Sequence, residues 1–159
     1  MNMTEVYHNF IKMAFIFSER STCLRRHYGA IIVSSGCQII SAGFNNAPYG
    51  DTDCESLGYC MREKLNVPKG ERYELCRAVH AEENAVITGD PLKMIGAVIF
   101  IAGRNVSDNS IADGTPCLMC RRVLKNAKIR QVICAIPKPD NPFEYTLKYI
   151  MLNDGLLNF

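Results

Sequence analysis

His80-Ala81-Glu82 and, 37 residues after its histidine, Cys117-Leu118-Met119-Cys120 led by Pro116 form the pattern that decides the fold and the chemistry of this chain. One imidazole and two thiolates can fill three corners of a tetrahedral zinc site and leave the fourth open for water, as catalytic zinc sites do. Glu82 lies two residues beyond the histidine, where on a helix it would lean over the metal and transfer protons. We therefore expect His80, Cys117 and Cys120 as zinc ligands and Glu82 as the catalytic acid–base.

Each half of this pattern is weak alone. A Cys-x-x-Cys pair can be a redox pair or half of a structural zinc site, and His-Ala-Glu can belong to a surface helix. Together they are more specific, because each half begins where a helix would begin. Pro116 suits the first position of a helix and Thr115 suits its cap. Thiolates in an opening helical turn are stabilised by the helix dipole. A purely structural zinc remains the alternative.

The composition indicates one domain, residues 1–159, with a formal net charge of +2. This balance does not favour a nucleic-acid polymer or a membrane surface as partner. No apolar run approaches the roughly 18 residues of a membrane span, and the first twenty residues carry charges at helical spacing and do not form a signal peptide. We therefore expect a cytoplasmic protein. Its eight cysteines, in a compartment where disulfides are rare, indicate metal binding.

Hydrophobic periodicity predicts an alternation of helices and strands. The predicted helices cover Thr4 to about Arg20, His80 to about Thr88, Cys117 to about Ala127 and Pro142 to about Asn153, and the predicted strands cover 29–33, 38–44, 97–101 and 131–136. The segment from about 45 to 77 is a cysteine-rich insert without a sustained period, and 103–114 is a loop or small hairpin. Such an order favours the α/β class, as a three-layer α/β/α sandwich. The two metal-binding helices can then converge at one edge of the sheet.

Several segments resemble the cytidine and deoxycytidylate deaminase family, in particular its deoxycytidylate (dCMP) branch. Arg20-Ser21-Thr22-Cys23-Leu24-Arg25-Arg26 is similar to the entry motif of that branch, and Gly43-Phe44-Asn45-Asn46-Ala47-Pro48-Tyr49-Gly50 is similar to its Gly-Tyr-Asn-Gly segment. The stretches 60–64 and 74–82 resemble its cysteine-rich insert and the metal-binding helix that follows. His-x-Glu with Pro-Cys-x-x-Cys is the signature of zinc-dependent nucleobase deaminases.

The resemblance implies a cytidine deaminase-like fold with a mixed sheet of about five strands, and zinc-dependent hydrolysis of dCMP to dUMP and ammonia. It places phosphate contacts at Arg25 and Arg26, a base or sugar contact at Asn45, and further substrate contacts at Ala81 and Thr115. The two arginines could instead complement a helix dipole, and Asn45 could be a turn residue. The alternatives for function are deamination of another free base or nucleoside, such as guanine or cytidine, and a zinc module without catalysis.

Cys37 and Cys134 lie in apolar runs and are expected in the core. Since Cys117 and Cys120 are expected to bind zinc, four further cysteines are left without a role. Some phage-type deoxycytidylate deaminases carry a second, structural zinc, and by this resemblance we expect one held by some or all of Cys23, Cys54, Cys60 and Cys76. The alternative is unlinked buried thiols.

A homo-oligomer, a hexamer by resemblance, is also expected. Hydrophobic residues make up 48% of the chain, and its end carries Leu156, Leu157 and Phe159. That is more apolar surface than a small monomer hides easily.

Overall fold

A mixed five-stranded sheet forms the centre of the structure, a computed structural model that describes residues 2–152. Its strands are β1 (Arg26–Val33), β2 (Ile39–Phe44), β3 (Val98–Asn105), β4 (Gln131–Pro137) and β5 (Tyr145–Met151), in the spatial order β2-β1-β3-β4-β5. The β3–β4 pair is parallel and the other three pairs are antiparallel. The sheet confirms the expectation of a mixed sheet of about five strands.

Helices cover both faces of this sheet. The longer helices are α1 (Met3–Ser18), α4 (Ala81–Ile87) and α5 (Leu118–Asn126), and the insert contains the single-turn helices α2 (Cys54–Leu57) and α3 (Met61–Lys64). The α1 side chains Phe10 and Ile11 belong to one apolar cluster with Phe100 of β3. On the opposite face, α4 and α5 bury alanines and a leucine in a second cluster. The α/β/α prediction is confirmed, and burial on both faces explains why the strand β3 is almost continuously apolar.

Helix α4 lies directly on strand β2, and Gly43 makes this approach possible. A Cβ atom added at Gly43 would lie 2.4 Å from the carbonyl oxygen of Ala81 and 2.4 Å from the amide nitrogen of Ala85. Real Cβ atoms do not approach backbone atoms this closely, so a side chain at this position would push the helix off the sheet. The small residue therefore fixes the position of α4, whose cap is His80.

The predicted helix from Pro142 to about Asn153 is wrong, because residues 145–151 form the edge strand β5. All seven residues pair antiparallel with β4. Tyr145 and Leu147 pack on the α1 side of the sheet, whereas Ile150 packs on the other side. The segment thus follows a period of two, and pairing with the edge of β4 overrides its helical propensity. Asn153, Leu156, Leu157 and Phe159 lie outside the described residues.

Smaller differences concern element ends and one cysteine. Helix α1 begins at Met3 with Asn2 as its cap, instead of Thr4, because Asn2 and Glu5 form a reciprocal capping box. Strand β3 extends to Asn105, and the chain then turns back to a bridge between Arg104 and Ile111, so a small hairpin occupies part of 103–114. Cys37 is exposed in the β1–β2 turn with a φ of 60°, whereas Cys134 is buried as expected.

The insert has little regular structure, as its sequence predicts. Besides α2 and α3 it contains a 3-10 turn at Tyr73–Leu75 and an isolated β-bridge from Asn46 to Val79. Between residues 2 and 152, none of the helices has the length and hydropathy needed to cross a membrane.

Candidate active site

His80, Cys117 and Cys120 come together where helices α4 and α5 begin. The Nδ1 atom of His80 lies 3.2 Å from the Sγ atom of Cys120 and 3.6 Å from that of Cys117. One ligand atom from each of the three residues lies within 4.8 Å of the others. His80 is the N-cap of α4, Cys117 is the N-cap of α5, and Cys120 lies in the first turn of α5. The expected convergence of the two helix N-termini is therefore observed.

The start of α5 differs from the expectation by two residues. The sequence suggested Thr115 as cap and Pro116 as first helical residue, but Cys117 is the cap and the helix begins at Leu118. The reason is that the Sγ atom of Cys117 accepts a hydrogen bond from the backbone N–H of Cys120, which is the role of a capping side chain.

Hydrogen bonds within the cluster favour a thiolate. The pKa of Cys117 is lowered to about 4, chiefly by the side chain of Cys120 and further by His80. The pKa of His80 is raised to about 11, first by Cys117 and then by Cys76. The pKa of Cys120 is raised, first by its hydrogen bond with Cys117 and then by burial. One nitrogen and two sulfur donors are a set that zinc prefers, and a divalent cation would displace the protons that these groups share. His80, Cys117 and Cys120, which together form the metal-ligand cluster, therefore fit zinc.

Glu82 lies beside this cluster in the first turn of α4. Its side chain is only 7% exposed and forms part of the same cleft wall as His80 and Cys117. Burial raises the pKa of its carboxyl group, and the nearby His80 opposes this shift. A carboxylate that is easier to protonate than usual is suited to accept and return a proton.

The five residues expected to contact substrate all line this cleft: Arg25, Arg26, Asn45, Ala81 and Thr115. The Nε atom of Arg25 lies 3.0 Å from Glu63 Oε1 in an ion pair. The Nε–H group of Arg26 donates to Asn105 Oδ1 at 3.2 Å. Two arginine side chains thus share a cleft with the metal-ligand cluster.

The side chain of Asn45 joins the end of β2 to β1. Its Oδ1 atom accepts from the backbone N–H of Tyr28 at 2.7 Å, and its Nδ2 group donates to the carbonyl oxygen of Arg26 at 2.9 Å. The amide therefore holds the cleft wall, and one N–H of Nδ2 is left over for another acceptor. Thr115 accepts a hydrogen bond from Lys148 at 3.1 Å through its hydroxyl group.

The four remaining cysteines line the same cleft: Cys23, Cys54, Cys60 and Cys76. Burial, followed by the other three thiols, raises the pKa of Cys54 to about 11. Within residues 2–152, only the set of His80, Cys117 and Cys120 brings three or more such ligand atoms within 4.8 Å of one another. All eight cysteines are free thiols.

Arg62 and Tyr73 are among the cleft-wall residues that sequence reasoning missed. The guanidinium carbon of Arg62 lies 4.6 Å from the ring centre of Tyr73, and that ring meets the His80 ring edge-on at 5.3 Å. Both residues lie in the irregular insert, where no periodicity indicates which side chains point inward. The only signal was the Cys60-Met61-Arg62-Glu63-Lys64 stretch, which gave Arg62 no role.

Known proteins with similar sequences include deoxycytidylate deaminases. The model of the cytidine and deoxycytidylate deaminase zinc-binding region matches residues 4–136. The deoxycytidylate deaminase of Schizosaccharomyces pombe is 32% identical over 127 residues, which cover 78% of this chain and 35% of that protein. That of Mycobacterium phage D29 is 29% identical over 129 residues, which cover 78% of this chain and 89% of that protein.

A solved structure is also similar. The dCMP deaminase of cyanophage S-TIM5, in complex with dCMP and dUMP, has a TM-score of 0.57 and 25% identity, covering 84% of this chain and 82% of that one. The chain spans only about a third of the length of its two yeast relatives, at 35% of each.

Proposed function

Since the chain belongs to the cytidine and deoxycytidylate deaminase family, we propose that it catalyses the zinc-dependent hydrolysis of dCMP to dUMP and ammonia. The observation that carries the proposal is one cleft lined by the metal-ligand cluster, by the buried Glu82 and by Arg25 and Arg26. A pyrimidine nucleotide needs this combination, because its reacting ring and its phosphate require an activated water and a cationic contact respectively.

His80, Cys117 and Cys120 would hold the zinc ion, which supplies Lewis acidity that makes water a nucleophile near neutral pH. Glu82 accepts a proton from the attacking water and delivers it to N3 of the cytosine ring while the water oxygen adds to C4. The same carboxylate then carries the second proton of that water to the amino group, the C4–N bond breaks, and ammonia leaves. One proton of the water therefore ends on N3 and the other on ammonia, and its oxygen becomes the C4 carbonyl oxygen.

The remaining cleft residues bind and orient substrate in this proposal. Arg25 and Arg26 contact the phosphate, the unused N–H of Asn45 donates to base or sugar, and Ala81 and Thr115 shape the wall around the ring. Burial of the amide of Asn45 supports a discriminating role, because a substrate lacking the matching acceptor would leave it unpaired.

A second, structural zinc held by some or all of Cys23, Cys54, Cys60 and Cys76 is a further part of the proposal. Its support is that all four thiols line one cleft within an insert that has few regular elements. Because no three of these thiols have their Sγ atoms within 4.8 Å of one another, the metal would draw them together on binding. Closed thiolate sites of this kind contribute folding free energy.

We also propose a cytoplasmic homo-oligomer, a hexamer by family resemblance, that does not bind a nucleic-acid polymer. Large apolar side chains exposed at the end of α4 and in the turn that follows support association, with Ile87 at 74%, Leu92 at 78% and Ile95 at 55% exposure. Exposed apolar surface of this kind is a feature of many subunit contacts. Light scattering at micromolar concentration tests the assembly, and a stable monomer would contradict it.

The experiment that tests the activity is ammonia release by the zinc-loaded chain against dCMP, deoxycytidine, cytidine and guanine. We expect dCMP to be deaminated with a kcat/KM at least about tenfold above that of deoxycytidine, since each charge-assisted phosphate contact contributes about 1.5–3 kcal/mol. A preference for a nucleoside or for guanine would favour the alternative deaminases. No release from any substrate, with zinc bound, would favour a zinc module without catalysis.

A further inference from the structure

The cleft has an excess of positive charge that Arg25 and Arg26 alone do not explain. Among the described residues, four arginines line it, Arg25, Arg26, Arg62 and Arg77, against one carboxylate, that of Glu82. The single negative charge of Glu82 lies next to the metal ligands and cannot balance the four positive charges of the arginines. A cleft with this balance attracts anionic ligands.

The four guanidinium groups differ in how their Nε–H groups are occupied. That of Arg25 is in the ion pair with Glu63, that of Arg26 donates to Asn105, and that of Arg77 donates to the carbonyl oxygen of Thr52 at 3.1 Å. The Nε–H group of Arg62 has no acceptor among the described residues, although the atom is buried.

The charged side chain of Arg62 is buried, at 6% exposure, whereas arginines usually lie at the protein surface. Its Nη2 group donates to the carbonyl oxygens of Pro68 at 2.8 Å and of Glu71 at 2.6 Å, and its plane lies over the ring of Tyr73. Within residues 2–152 it has no carboxylate partner. Burying a guanidinium group with only neutral partners and one unpaired donor costs folding free energy, unless an anion accepts a hydrogen bond from that donor.

The orientation of Arg62 is fixed before any ligand arrives. Two carbonyl oxygens hold one edge of the guanidinium group and Tyr73 covers one face, so little rotamer freedom remains to be lost on binding. Tyr73 in turn contacts His80, which ties the position of Arg62 to the metal-ligand cluster through two ring contacts.

We propose that Arg62 is a specificity-determining residue whose unpaired Nε–H donates to the phosphate of a nucleoside monophosphate bound with its ring at the zinc site, after a small shift of the insert atoms that cover it. The inference rests on the proposed function, since it names a further contact for the same substrate. Under it the cysteine-rich insert supplies part of the phosphate site, and Arg25 and Arg26 from the loop and strand before it supply the rest. Arginine suits this role because its planar donors match phosphate oxygens.

Steady-state kinetics of Arg62→Lys and Arg62→Met on dCMP and deoxycytidine test the inference. Lysine keeps the charge, but it has no Nε–H. We expect the ratio of kcat/KM for dCMP to that for deoxycytidine to fall about tenfold in Arg62→Lys and up to about a hundredfold in Arg62→Met, with deoxycytidine kinetics nearly unchanged. The matched control is Arg72→Met, because Arg72 is exposed in the same insert, pairs with Glu74 and does not line the cleft.

An equal loss on both substrates would overturn the inference and make Arg62 a clamp for the 68–71 segment. A wild-type chain without preference for dCMP would instead overturn the proposed function, and this inference with it. A second measurement needs no substitution: in the ¹⁵N-arginine NMR spectrum of the zinc-loaded wild-type chain, the Nε–H resonance of Arg62 should shift with dUMP and not with deoxyuridine. An unchanged resonance at saturating dUMP would also overturn the inference.

Discussion

The Nδ1 atom of His80 lies 3.2 Å from the Sγ atom of Cys120, although 40 residues separate them in the chain. The contact exists because α4 and α5 pack on the same face of the sheet and begin at the same edge. Each helix therefore presents its capping position to the cleft. Small movements of either helix would separate the metal ligands, so the site depends on how closely the helices pack on the sheet.

This dependence predicts that Gly43→Ala destabilises the protein and weakens zinc binding. The added methyl group would meet the backbone of α4 at 2.4 Å, and this backbone carries His80 and Glu82. Overpacking of this kind costs about 1–3 kcal/mol of unfolding free energy. Denaturant unfolding and zinc titration measure both effects.

Gly36→Ala is the control for this substitution. An added Cβ at Gly36 would find only Ser34 Oγ, at 3.8 Å. The control should therefore keep both stability and zinc affinity. If Gly43→Ala were as stable as Gly36→Ala, the close packing of α4 on β2 would not be what fixes the ligands.

Glu82→Gln should keep zinc and lose most turnover. The amide has nearly the shape of the carboxylate but cannot accept and return a proton, and general acid–base catalysis contributes about 10²–10⁴-fold in rate. Zinc content by mass spectrometry and kcat on dCMP check this. Glu83→Gln is the control, since among the described residues the Glu83 side chain accepts from the backbone N–H of His80 alone, at 3.3 Å, and an amide oxygen can do the same. Zinc lost together with activity in Glu82→Gln would mean that Glu82 stabilises the site itself.

The metal-ligand cluster and most of the fold could be predicted because their signals are local. His80, Cys117 and Cys120 can adopt only a few geometries, because the two cysteines are separated by two residues and both halves of the pattern begin a helix. The inner strands are identified by apolar runs of four or five residues. The edge strand β5 could not be predicted in this way, because its apolar residues fit either period and the free edge of β4 decided between them. Arg62 could not be predicted because its burial depends on carbonyl oxygens of residues 68 and 71 that fold over it.

Metal analysis should give about two zinc ions per chain if the insert cysteines form a closed site. Cys54→Ser should then lower the content to about one, lower Tm and leave the zinc at His80, Cys117 and Cys120 in place. Cys37→Ser is the control, because Cys37 is exposed in the β1–β2 turn. A single zinc that disappears in Cys117→Ser and persists in Cys54→Ser would leave the insert cysteines as ordinary buried thiols.

Glu63→Gln should improve the binding of dCMP. The Glu63 carboxylate pairs with Arg25 at 3.0 Å, so a substrate phosphate must compete with it for the same guanidinium group. Both side chains are partly exposed, at 32% and 59%, and such pairs contribute about 0.2–1 kcal/mol. We therefore expect KM for dCMP to fall by a factor of about 1.5 to 5, with kcat and the kinetics on deoxycytidine unchanged. Glu74→Gln is the control, because it breaks the exposed Arg72–Glu74 pair of the same insert away from the cleft. A KM that rises in Glu63→Gln would mean that the carboxylate orients Arg25 for the phosphate instead of competing with it.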